Sequence, residues 1–83
     1  MKTTLNLNSI IEINDNKNLM NAFNLIKKNK YFVKLFPSPY NTLPIIAFDK
    51  EDKAHIEKIL NEINIQYEMK VLENDIIMEL LKN

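Results

Sequence analysis

The stretch YFVKLFPSPYNTLPIIAFDKED, Tyr31 to Asp52, decides the fold. YFVKLF, Tyr31 to Phe36, is rich in aromatic and branched residues and predicts a strand; IIAF, Ile45 to Phe48, is apolar throughout and predicts a strand buried on both faces. Pro37, Pro39 and Pro44 lie between them. They lack backbone donors and hold their neighbours extended, so the connection is stiff and is not itself a central strand. Asp49 then supplies a helix cap, with Asp52 three residues on in the reciprocal place of a capping box.

Working outward, Leu5, Leu7, Ile11 and Ile13 share a parity and predict a first strand, with Ile10 off the pattern. Asp15 caps a helix expected over Asn16 to Lys28, with Leu19, Phe23 and Ile26 on one stripe and Met20 beside it. Lys27, Lys28 and Lys30 suit a helix C-terminus, and Asn29 is the expected left-handed stop. After Asp49 a helix is expected over Lys50 to Glu62, its stripe formed by Ile56, Ile59, Leu60 and Ile63. Ile65, Tyr67, Met69 and Val71 alternate with Gln66, Glu68 and Lys70, predicting a fourth strand. A last short helix is expected from Asp75 to Lys82. The order βαββαβ plus a terminal helix gives the expected class: α+β, a ferredoxin-like sandwich with an added C-terminal helix, in a single domain spanning residues 1–83.

Composition excludes more than it assigns. The 83 residues contain no cysteine, which removes disulfides, thiolate metal sites and thiol nucleophiles. They contain no glycine, so no glycine-rich loop brings backbone close to a phosphate. Arginine is also missing, all 11 basic residues being lysine, as an AT-rich coding genome would produce. The net charge is zero but unevenly spread: Asn16 to Phe48 holds five lysines and no acid, whereas Asp49 to Asn83 holds five lysines against nine acids. The start, MKTTLNLNSIIEIN, has no apolar core of signal-peptide length, and no segment approaches the roughly 18 apolar residues of a membrane span. A cytoplasmic protein with no membrane contact is expected.

From Leu19 to Leu72 the chain resembles a family of small bacterial and archaeal domains, the selenium/sulfur-carrier-like proteins. The residues carrying the likeness are the helix NLMNAFNLIKKNK, the strand followed by FPSPY, and the third strand running into AFDKEDK. The family places a PTPR-like segment, then serines and a Cys-Gly pair, before the third strand. Pro37, Ser38 and Pro39 fit that pattern. Tyr40 stands where arginine is expected, and Asn41 to Pro44 hold neither cysteine nor glycine, so the resemblance implies the scaffold without chalcogen carriage.

Candidate sites are few. His55, the single histidine, can share a helix face with Glu51 and Asp52, but an exposed first-turn histidine beside acids that favour the helix dipole explains the same residues, so no metal site and no cofactor is expected. Ser9 and Ser38 have no partner spacing for nucleophilic catalysis, and Glu73, Asp75 and Glu79 suit caps better than an acid–base pair. An enzyme is not expected. Lys27, Lys28, Lys30, Tyr31, Lys34 and Tyr40 interleave charge and rings as single-stranded nucleic-acid platforms do, although without arginine. Ile76, Ile77, Met78, Leu80 and Leu81 offer more apolar surface than one stripe needs, with Leu72 and Ile10 also off the expected core faces. Such a surplus suits a protein partner, a second copy of the chain included, and equally a terminal helix laid over the open face of the sheet. The second strand is an expected sheet edge, open to pairing with another chain. The expected function is therefore a non-catalytic protein-binding module, for example a phage- or host-encoded inhibitor or regulator of a nucleic-acid-handling machine. It would present Glu57, Glu62, Glu68, Glu73, Asp75 and Glu79 as an acidic surface. The alternatives are a degenerate carrier-like scaffold and a nucleic-acid-binding module.

Overall fold

In the computed structural model, residues 7–38 and 42–72 are described. Their elements run β1 (Ser9–Glu12), α1 (Asn16–Lys28), β2 (Val33–Phe36), β3 (Ile45–Phe48), a single 3-10 turn (Lys50–Asp52), α2 (Lys53–Glu62) and β4 (Glu68–Val71). The four strands form one antiparallel sheet in the order β2-β3-β1-β4. This is a mixed α+β fold, with β2 and β4 at the edges. The expected terminal helix, with Ile76, Ile77, Met78, Leu80 and Leu81, lies outside the described residues, as do Leu5, Tyr40, Glu73, Asp75 and Glu79. No helix among the described residues is long and apolar enough to cross a membrane.

Helix α1 has the bounds its sequence predicts. Asp15, in an extended conformation, accepts from the Lys17 amide at 3.2 Å, and no proline or glycine interrupts the turns that follow. Its end differs from expectation. Asn29 has φ of -84° and is an ordinary cap, while Lys30 takes the left-handed conformation with φ of 70°. The reason is the hydrogen-bond pattern: Tyr31 N–H reaches back to the Ile26 carbonyl at 3.4 Å and Lys30 N–H to Lys27 at 2.9 Å, a Schellman closure whose left-handed residue is the one after the cap. Asn29 contributes instead through its side-chain amide, which donates to the Leu25 carbonyl at 2.9 Å. Since Tyr31 belongs to this closure, β2 begins at Val33 and not at Tyr31.

The expected second helix divides. Lys50–Asp52 forms a 3-10 turn and the α-helix follows from Lys53. Asp49 caps the turn by accepting from the Glu51 amide at 3.0 Å, whereas Asp52 makes no side-chain cap bond, so it does not serve as the second half of a capping box. The residue just before β1 takes part: Asn8 Oδ1 accepts from the Lys50 amide at 3.1 Å, and the Asn8 carbonyl accepts from Leu72 N–H. Asn64, with φ of 54°, turns the chain out of α2 toward β4.

The central strands β1 and β3 are buried on both faces of the sheet. On one, Ile11, Val33, Ile46 and Phe48 pack with Leu19, Ala22 and Ile26 of α1 and Ile56 and Leu60 of α2, so both helices lie on this face. Each fully buried isoleucine or leucine there contributes roughly 1.5–3 kcal/mol of transfer free energy. On the other, Leu7, Ile10, Ile45 and Ala47 form a second cluster with Phe36 and Leu72 against it. Ile10 and Leu72 are therefore not surplus apolar surface: Ile10 is completely buried, and the parity that set it apart marks the second face. Val71, expected on the core side with Met69, is 53% exposed because it stands at the end of an edge strand, paired only with Ser9.

Candidate interaction surface

A groove of about 460 Å³ runs between α1 and the β2 edge, lined by Phe23 and Lys27 from the helix, Lys30, Tyr31 and Phe32 from the turn, and Val33, Lys34 and Leu35 from the strand. The Schellman closure makes it. By reversing the chain at Lys30, the closure returns Tyr31 beneath the helix end and leaves Phe32 outward, 41% exposed. Two of the three rings are already engaged. Lys27 Nζ sits 5.3 Å from the centroid of Phe23, and Tyr31 stacks on His55 with centroids 5.6 Å apart and planes inclined by 18°. Among the described residues no carboxylate pairs with Lys27 or Lys30.

The structure thus brings together Lys27, Lys30, Tyr31 and Lys34 of the lysine–aromatic segment around one groove. They do not share one aspect of it. Strand alternation puts Val33 and Leu35 on the helix side and Lys34 with Phe36 on the other, so Lys34 meets the groove at the strand edge while its ammonium belongs to the far face. Lys28 does not line the groove, and Tyr40 lies outside the described residues. Phe32 belongs to the same lysine–aromatic segment, whereas Phe23 and Leu35 are groove members that the sequence pattern does not single out. Phe23 packs against the core, as its stripe predicts, and the reversal at Lys30 brings it and Phe32 to the same groove.

The acids gather at the opposite edge. A second, more polar hollow of about 530 Å³ lies between the β1–α1 turn and the start of β4, with Glu12, Asp15, Glu68, Asn14, Asn18 and Gln66 among its walls. Glu12 and Glu68 are direct cross-strand partners, an unfavourable like-charge pairing. Lys70, two pairs along and so on the same face, offsets it by reaching the buried Glu12 carboxylate at 2.8 Å. Tyr67 donates its hydroxyl to Asn61 Oδ1 at 3.1 Å, and its pKa is raised above 10.0 by partial burial and by the nearby charge of Glu57. Of the predicted acidic surface, Glu57 and Glu62 therefore sit on α2 and Glu68 on β4. His55 is held in the stack with Tyr31.

Compared with family models, with curated proteins and with solved structures, the chain matches none at a significant level.

Proposed function

We propose that the protein is a non-catalytic module that binds another protein, built as a ferredoxin-like sandwich and docking through its β2 edge. The element order βαββαβ, the strand order β2-β3-β1-β4 and the packing of both helices on one face support the sandwich. The observation that carries the docking reading is the position of β2. It ends the sheet, so one row of its backbone donors and acceptors has no partner strand among the described elements, and an exposed Phe32 and a Lys30 that no described carboxylate pairs stand beside that row. Edge strands are ready templates for strand addition, and natural sheets usually cover or distort them.

The acidic edge supports a second reading, in which Glu57, Glu62 and Glu68 face a basic channel of a larger machine and block it by mimicry; such binding weakens steeply with salt. One experiment separates the two. Tagged wild-type, Phe32→Asp and Glu57→Lys/Glu62→Lys proteins are used to capture partners from host lysate with and without nuclease treatment. A protein held by the wild type and lost only with Phe32→Asp supports the β2 edge, and loss only with the lysine substitutions supports mimicry. Capture that disappears for every form on nuclease treatment opposes both and favours nucleic acid.

A further inference from the structure

Resting on the β2-edge reading, we infer that the groove takes an extended acidic segment of the partner, added as a strand beside β2. Three observations combine. The strand edge supplies main-chain pairing, which any extended segment satisfies. The groove supplies one sign of charge: Lys27 and Lys30 stand on its rim, no acid occurs between Asn16 and Phe48, and no described carboxylate neutralises either lysine. An incoming carboxylate is thus the complementary group. Phe32 supplies an apolar contact outside the core.

The same geometry disfavours a nucleic-acid strand. Single-stranded nucleic acid needs successive free rings for stacking. Here the Tyr31 face is taken by His55 and Phe23 carries the Lys27 ammonium, which leaves Phe32 as the one free ring among the described residues of the groove. No arginine is present to grip phosphate bidentately.

Lys30 sharpens the inference and its test. It holds a left-handed conformation that glycine or asparagine adopts at lower cost, yet a long cation occupies it at the groove rim. Lys30→Gly therefore relieves the backbone while deleting the charge, so lost binding in this variant is not lost folding.

The test is fluorescence anisotropy on the full chain with three labelled probes: a ten-residue peptide alternating glutamate and valine, its lysine–valine counterpart, and an oligothymidylate of equal length. Amide chemical shifts are followed in parallel. The acidic peptide is expected to bind in preference to both others and to shift amides of residues 31–36. Lys30→Gly and Lys27→Gln should each weaken it about threefold to fivefold. Equal binding of the lysine peptide, preference for the oligothymidylate, shifts centred on β4, or self-association of the free chain through the same amides would each overturn the inference. Failure here together with capture that still depends on Phe32 would leave the edge reading standing with a partner of different chemistry; capture indifferent to Phe32→Asp would remove the edge reading itself.

Discussion

The amide of Tyr31 donates to the carbonyl of Ile26 at 3.4 Å, across a Lys30 whose φ is 70°. This one closure ends α1, delays β2 to Val33 and opens the groove beside the sheet edge. Because a lysine occupies the left-handed position, replacing it should be informative in both directions. Lys30→Gly is expected to raise stability by about 1 kcal/mol, and Lys30→Val, with a branched β-carbon, to lower it by at least as much. Chemical denaturation of the two variants measures this. Equal stability of the two would show that the left-handed turn is not populated as described.

Lys70 supports a carboxylate that the sheet has buried. Glu12 is 8% exposed, faces Glu68 across the strands and is reached by Lys70 at 2.8 Å. Lys70→Ala should cost about 1–2 kcal/mol by leaving the buried charge less well compensated, the half-exposed lysine keeping the loss below that of a fully buried pair. In Glu12→Gln, the same lysine change should cost much less, and the resulting double-mutant cycle reads out the coupling.

Ser9 is completely buried, and its hydroxyl has no hydrogen-bond partner among the described residues. A buried unsatisfied hydroxyl is a standing cost. Ser9→Ala is therefore expected to leave stability unchanged or raise it by up to about 1 kcal/mol, as thermal unfolding would show. A clear loss would mean that the hydroxyl is satisfied in solution.

Much of this fold was legible in the sequence, for reasons that can be named. The bounds of α1 follow from Asp15 and an unbroken stripe, and the burial of IIAF follows from its lack of polar alternation. Local pattern could not say that Asn8, 42 residues away, accepts the Lys50 amide, nor that Ile10 faces a second core, because both depend on the pairing of β1 with β3. Residue preference favours Asn29 for the left-handed stop, but the Schellman bonds put it at Lys30. In the candidate surface, the lysines and Tyr31 were visible as a cluster; the division of Lys34 from Lys27 and Lys30 was not, because it needs the strand's faces.

Asn8 also yields a prediction. Asn8→Ala removes the acceptor for Lys50 N–H at the start of the 3-10 turn and should cost about 1 kcal/mol, with faster hydrogen exchange at the Lys50 amide. Asn8→Asp should retain most of the stability.

Alkaline pH should weaken the fold through Tyr67. Burial first and the charge of Glu57 second raise its pKa above 10.0, so the folded state resists ionisation that the unfolded chain undergoes at its ordinary value. The contribution is intact below pH 10 and is lost as pH rises through the folded pKa. Glu57→Gln should lower the midpoint of the phenolate absorbance change only in part, since burial remains.

Hydrogen exchange along residues 31–36, with and without the protein captured from lysate, tests the central claim most directly. Strand addition at β2 predicts slowed exchange at alternate amides of that segment and little change in β4. Slowing confined to β4 and the end of α2, with β2 amides exchanging as in the free chain, would contradict it.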